Sequence, residues 1–130
     1  MILLDTHALL WWSLDPQHLS PTAASTCRTM EQAGGAIASA ISIWELAAKV
    51  KRGKLELPIS IDDWVRGIER DSIVRLLPVD TTTWIRTAAL DWAHRDPADR
   101  VIVATAMLAG VPILTKDKAM HAQKHVECVW

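Results

Sequence analysis

Four acidic residues are spaced along the chain so that a folded domain could use them together: Asp5, Glu45, Asp99 and Asp117. Carboxylates gathered at one point repel each other unless protons or cations intervene. Hard oxygen ligands of this kind suit Mg²⁺ or Mn²⁺. An ion held in this way lowers the pKa of water and directs it at a substrate. The residue types therefore predict a divalent-metal site that performs hydrolysis.

The elements that must position these acids follow from the hydrophobic pattern. Short apolar runs predict five strands, at residues 2–4, 36–40, 73–79, 110–115 and 126–130. Because helical stretches separate them, we expect an α/β fold with a central, mainly parallel sheet wrapped by helices on both faces. Right-handed crossovers put the carboxyl ends of such strands on one edge, where open α/β sheets bind ligands. Asp5, Glu45 and Asp117 would then follow the first, second and fourth strands. Asp99 would lie at the start of the helix before the fourth strand.

The helices between these strands are marked by their start and stop residues. Ser20-Pro21 opens one that Gly34 ends, and Asp96-Pro97 opens an apolar one that Gly110 ends. Further helices are predicted from Thr6, over 41–49 and 61–70, from Asp80 through Trp92, and over 118–124. Pro78 places the third strand at a sheet edge or terminus.

Each acid alone also has a structural explanation. Asp5 suits a helix cap. Residues 42–45 fit a capping box in which Glu45 serves the helix end, whereas a helix starting at Ser39 or Ala40 would project Glu45 toward the strand ends. Asp99 lies three residues after the expected cap, Asp96, where an acid accepts bonds from free amides. The sequence leaves these alternatives open.

The charge balance does not select a partner. The net charge of −1 argues against a chain that grips nucleic acid by bulk electrostatics. Setting aside the four acids leaves 14 basic and 11 acidic residues (15 − 4), a surplus of three. Arg100, Lys116 and Lys118 stand next to the acids, where they could contact phosphates or simply be solvated or salt-bridged.

Composition indicates one domain over residues 1–130. Seven Trp replace all Phe and Tyr, and no apolar run is long enough to span a membrane. Cys27 and Cys128 are isolated, which is typical of reduced cytosolic thiols. The start, Met1 to Asp5, has no basic leader, so we expect a cytoplasmic protein.

Four motifs together resemble a PIN domain and, more narrowly, the VapC toxins of bacterial toxin–antitoxin pairs. They are MILLDTH at 1–7, SAISIWEL at 39–46, HRDPADR at 94–100 and LTKD at 114–117. The resemblance covers essentially the whole chain and implies a small α/β/α nuclease. The matching acids would bind Mg²⁺ or Mn²⁺ and cut RNA, with Asp5 and Asp99 as principal ligands and Glu45 and Asp117 completing the pocket.

The same resemblance implies partners that the residues themselves do not indicate. These are an RNA substrate, a VapB-like antitoxin and a second copy of the chain in a homodimer. Two rival functions remain. A metal-dependent phosphatase with Asp5 as nucleophile would want an acid at position 7, which is His. A non-catalytic PIN-like binding module would be expected to lack one of the four acids, and none is missing.

Overall fold

The computed structural model describes residues 1–130 and contains one five-stranded sheet. The strands are β1 (Leu3–Leu4), β2 (Ala36–Ser39), β3 (Val74–Leu77), β4 (Ile113–Leu114) and β5 (Cys128–Val129). Their order across the sheet is β3-β2-β1-β4-β5, and every neighbouring pair is parallel. The chain therefore adds β2 and β3 on one side of β1, and then returns to add β4 and β5 on the other side. The point where the winding reverses lies between β1 and β4, and ligands bind at such a crevice in open α/β sheets.

Helices cover both faces of this sheet. They are α1 (Thr6–Leu14), α2 (Pro21–Ala33), α3 (Ala40–Lys51), α4 (Ile61–Asp71), α5 (Thr81–Ala89), α6 (Pro97–Ala109) and α7 (Lys118–Ala122), with a 3₁₀ turn at Pro16–His18. The predicted α/β class is confirmed, and the sheet is wholly parallel. Among the helices we find none with the length and apolarity that crossing a membrane requires.

Two apolar cores lie on opposite faces of the sheet. Leu4 belongs to the core beneath α1 and α4, together with Leu9 and Trp64. Its neighbour Leu3 belongs to the core beneath α6, which includes Ile102. Successive residues of a strand point to opposite faces, so two residues of β1 are enough to anchor both layers. The shortness of β1 is thus compatible with its central place.

Most predicted boundaries agree with the structure to within two residues. The exceptions are β4, which begins at Ile113 and not at residue 110, and α5. The helix was expected to continue through Trp92, but it ends at Ala89, and Leu90 has extended backbone angles. The segment from residue 90 to 96 has no regular structure. The reason is a set of tertiary contacts to its carbonyl groups, described below, which local sequence preference does not reveal. The predicted helix over 118–124 is also shorter and ends at Ala122.

Candidate active site

Asp5 lies at the point between β1 and β4 where the winding of the sheet reverses. It follows β1 directly and caps α1, because its Oδ1 accepts the amide of Ala8 at 2.8 Å. Its Oδ2 accepts the hydroxyl of Thr115, at 2.5 Å, from the end of β4. Asp5 is 7% exposed, so this carboxylate is nearly enclosed. Asp5 therefore serves as a helix cap and also lies at the carboxyl edge of the sheet, where the metal site is predicted.

Asp117 is tied to the same place through Thr115. The amide of Asp117 donates to the Thr115 hydroxyl at 3.1 Å, while that hydroxyl donates to Asp5. The Asp117 carboxylate in turn caps α7 by accepting the amide of Ala119 at 2.7 Å. Thr115 is fully buried, so its hydroxyl is a fixed link between the two acids.

Glu45 does not belong to a capping box. The cap of α3 is Ser39, whose hydroxyl accepts the amide of Ile41 at 3.2 Å. Glu45 is therefore on the second turn of α3, as the earlier of the two possible helix starts predicts. Its Oε2 accepts the Thr6 hydroxyl at 3.1 Å, and its Oε1 lies 3.5 Å from Lys49 Nζ. Because Thr6 follows Asp5, this contact brings Glu45 to the carboxyl edge of the sheet.

Asp99 is held by a side chain and not by the free amides of its helix. Asp96 is the cap of α6 and accepts the amides of Ala98 at 2.9 Å and Asp99 at 3.3 Å. The Asp99 Oδ2 instead accepts Nε2–H of His94 at 2.7 Å. Ligand atoms of His94, Asp96 and Asp99 lie within 4.8 Å of one another.

His94 lies against Asp99 in the candidate site, and the sequence did not single it out. It is one of five scattered histidines, and no ligand spacing singles it out. Its ring stacks on that of Trp92 with the centroids 4.6 Å apart. The one available signal was its place at the start of the HRDPADR motif, five residues before Asp99.

The electrostatics of the acids link them into one group. Burial raises the pKa of Asp5 to about 6, against the lowering effect of its hydrogen bonds from Thr115 and Ala8, and the charges of Asp117 and Glu45 raise it further. Burial likewise raises the pKa of Asp99 to about 6, with added contributions from the charges of Asp96 and Asp117. The charge of Asp117 acts on both Asp5 and Asp99, so electrostatic repulsion connects these acids through Asp117.

The basic residues beside the acids divide into two kinds. Arg100 is not a free phosphate ligand, because its guanidinium donates to four main-chain carbonyl oxygens. Lys116 and Lys118 are exposed. Lys116 Nζ lies 5.8 Å from the ring centroid of Trp11. Of the three basic side chains considered as phosphate contacts, the two lysines therefore remain available.

The donor set fits a hard divalent cation. Carboxylate oxygens are the ligands that Mg²⁺ and Mn²⁺ prefer. Two of the carboxyls have pKa values raised by burial and by neighbouring negative charge, which is the condition that a bound cation relieves. Lys49 is the one lysine or arginine paired with any of the four acids, through Glu45, so negative charge at the edge of the sheet is incompletely balanced.

Comparison with known proteins matches the chain over nearly its whole length. A model of the PIN domain family covers residues 2–126. Ribonuclease VapC22 of Mycobacterium tuberculosis is 33% identical over 125 residues, which is 95% of this chain and 92% of that protein.

Solved structures resemble the fold. VapBC2 from Rickettsia felis, bound to a DNA fragment from its promoter, superposes with a TM-score of 0.70 at 12% identity, covering 99% of this chain and 98% of that chain. FitAcB from Neisseria gonorrhoeae gives a TM-score of 0.65 at 24% identity, covering 98% and 96%. A toxin–antitoxin complex from Klebsiella pneumoniae gives 0.61 at 18% identity, covering 98% and 99%.

Proposed function

This chain belongs to the PIN domain family, and on that premise we propose that it is a VapC-type ribonuclease, the toxin of a toxin–antitoxin pair. In this proposal the carboxylates of Asp5, Glu45, Asp99 and Asp117 hold Mg²⁺ or Mn²⁺ and direct the hydrolysis of RNA phosphodiester bonds. The similarity to a protein named as a ribonuclease supports the activity.

One observation carries the assignment of these residues. The most buried of the acids, Asp5, lies at the point where the winding of the sheet reverses, and its pKa is raised to about 6 by burial and by Asp117 and Glu45. A folded chain that keeps repelling carboxyls together at a ligand-binding edge gives up stability unless a cation binds there. Carboxylates that served only separate structural contacts would not act on one another in this way.

The residues of the chain have separable roles in the reaction. Mg²⁺ or Mn²⁺, when bound, activates water for attack on phosphorus and offsets negative charge on the phosphate and the leaving oxygen. Thr115 fixes the rotation of the Asp5 carboxylate, and Thr6 does the same for Glu45. The ammonium of Lys116, next to Asp117 in the chain, is placed to contact a phosphate of the RNA.

Cleavage is expected to depend completely on the divalent ion. The four carboxylates accept hydrogen bonds from hydroxyl, imidazole or amide groups and supply no nucleophile by themselves, so the purified protein should cut single-stranded RNA with Mg²⁺ or Mn²⁺ and not in excess EDTA. Mapping the cut ends by primer extension measures both activity and sequence preference. The Asp5→Asn variant serves as the control for a contaminating nuclease.

Two results would contradict this assignment. Undiminished cutting in EDTA would rule out the metal mechanism. Metal binding without any cutting of total RNA would favour the non-catalytic PIN-like module instead.

We further propose that the chain acts in the cytoplasm, as a homodimer, and that a small VapB-like antitoxin covers or enters the acidic pocket. An unchecked ribonuclease in the cytoplasm would harm the cell that makes it. Trp44 supports a protein contact beside the pocket, because it is 64% exposed and immediately precedes Glu45. Trp11 and Trp12 are partly buried against the core and offer less surface.

Expression of the chain alone is expected to stop growth, and co-expression of the small neighbouring gene should restore it. The physical reason is that covering the pocket excludes RNA from the carboxylates. Growth curves with each gene under separate control measure the effect, and a chain with Asp5→Asn should be harmless in either case. Growth arrest that the neighbour fails to relieve would count against this partner.

A further inference from the structure

The irregular segment between α5 and α6 is held by one side chain, Arg100. The guanidinium Nη1 donates to the carbonyl oxygens of Trp92 at 2.5 Å and His94 at 3.1 Å. Nη2 donates to those of Leu90 at 2.9 Å and Thr87 at 3.2 Å. The four acceptors are spread over residues 87 to 94, so one planar guanidinium contacts both the end of α5 and the irregular segment that follows it.

His94 is fixed at both ends by consecutive residues of α6. Arg100 binds its main-chain oxygen, and Asp99 binds its ring Nε2. Between these contacts the imidazole stacks on Trp92, whose own carbonyl is bound by Arg100. The two rings thus form a rigid unit whose position is set by the guanidinium.

These contacts determine the orientation of the Asp99 carboxylate. Its Oδ2 is occupied by His94, and its Oδ1 accepts no hydrogen bond from the protein. No buried side-chain oxygen or nitrogen lacks a partner, so Oδ1 is accessible to solvent. A carboxylate with one oxygen held and the other open has a fixed orientation, and such supporting contacts strongly affect metal affinity.

We propose that Arg100 is a positioning residue: by binding four main-chain carbonyls it holds His94 against one oxygen of Asp99 and leaves the other free as a ligand. This inference rests on the proposed metal site, in which Asp99 is a ligand. It goes beyond that site because it assigns two residues, Arg100 and His94, that touch neither the ion nor RNA. Lysine cannot replace Arg100, because an ammonium has three donors and no planar fork for four acceptors.

The test compares Mn²⁺ affinity and ring contacts across a small set of variants. Arg100→Lys and His94→Ala are each expected to weaken Mn²⁺ binding, measured by electron paramagnetic resonance without RNA, by about tenfold or more. The double variant should bind no more weakly than His94→Ala alone, because Arg100 acts through His94. Trp64→Phe is the control: it removes the partly buried hydrogen bond to Ser13 at the far end of α1 and lowers stability without altering the four acids or their partners.

A second measurement needs no metal. Nuclear Overhauser contacts between the Trp92 and His94 rings should be present in the parent, retained in Trp64→Phe and lost in Arg100→Lys. If Arg100→Lys does not fold, Trp92→Leu keeps the carbonyl anchors and removes only the stacked ring, and it should weaken Mn²⁺ binding severalfold.

The possible results distinguish failure of the positioning role from failure of the proposed metal site. Unchanged Mn²⁺ affinity in Arg100→Lys, an equal loss in Trp64→Phe, or multiplying effects in the double variant would overturn the positioning role and leave Arg100 as a structural staple. A parent chain that binds no Mn²⁺ would contradict the proposed metal site. Loss of the ring contacts in Arg100→Lys would in that case still support its control of His94, and their persistence would overturn it.

Discussion

Glu45→Gln is expected to reduce RNA cleavage by about a hundredfold or more while leaving the fold intact. Gln has the same length and can still accept the Thr6 hydroxyl, but it removes the negative charge from the pocket. Helix capping is not affected, because Ser39 caps α3. The structural loss is confined to the Lys49 pair, a helical i,i+4 contact worth roughly 0.5 kcal/mol or less. Cleavage rates and thermal melts of the same preparation measure both effects.

Two matched variants separate the charge of Glu45 from its ion pair. Lys49→Met breaks the pair and keeps the carboxylate, so it should retain most of the activity. Glu69→Gln makes the same chemical change at an exposed position of α4 and should be silent. If Glu45→Gln cuts RNA as well as the parent, or if Lys49→Met is equally inactive, then Glu45 is a structural partner of Lys49 and not part of the metal site.

The sequence was sufficient to predict where Asp5 and Asp117 lie. Both follow short apolar strands, and the parallel arrangement of those strands brings their ends to one edge as a matter of topology. Burial of Leu3 and Leu4 in opposite cores fixes β1 at the centre of the sheet. Asp5 follows β1 directly, so it must lie at the carboxyl edge of the sheet. The positions of Asp5 and Asp117 do not depend on which of several possible residues begins a helix.

The position of Glu45 could not be decided in the same way. Ser39 and Ser42 are both good helix caps, and they give starts of α3 three residues apart. The choice is made by tertiary contacts: β2 continues to Ser39 beside β3, and Ser42 is fully buried, with its hydroxyl 2.9 Å from that of Thr6. A buried hydroxyl needs such a partner, and sequence alone does not identify it.

The irregular connection before α6 could not be predicted from the sequence either, because tertiary contacts decide its conformation too. Its residues have helical spacing, and Trp92 extends the apolar pattern of α5. Arg100 binds four carbonyl oxygens between residues 87 and 94, and the segment after Ala89 is not helical. An arginine close to Asp96 and Asp99 in the chain is expected to pair with acids or to face solvent. The sequence therefore did not predict that Arg100 would bind main-chain carbonyls, or that His94 would contact Asp99.

Asp99→Asn is expected to make the metal-free protein as stable as the parent or more so, by roughly 1 kcal/mol at low salt. Asp96, not Asp99, caps α6, so the cap is preserved. The Asn oxygen can still accept from His94, while one charge leaves the group that includes Asp117. Asp62→Asn, in the exposed first turn of α4, is the control for loss of a helix-dipole contact.

The pH dependence of the free energy of unfolding has a definite sign. Burial raises the pKa of Asp5 and Asp99 from 3.8 to about 6, so the folded state binds more protons than the unfolded state within that range. Stability of the metal-free parent, as far as these groups determine it, therefore falls as pH rises from 3.8 through about 6. Asp99→Asn should flatten this decline by removing one of the two groups.

Added Mg²⁺ should then distinguish the two proteins most strongly at pH 8, where the carboxyls of the parent are ionised. Binding to the folded state stabilises it by RT ln(1 + [L]/Kd), roughly 2.7 kcal/mol at a hundredfold excess over Kd. The variant should lose most of this gain, because one of the principal ligands no longer carries charge. Thermal melts of parent and variant at pH 5 and pH 8, with and without Mg²⁺, measure all three effects. If Asp99→Asn is clearly less stable without metal and gains as much from Mg²⁺ as the parent does, Asp99 serves only to hold His94, and the four-carboxylate site is wrong.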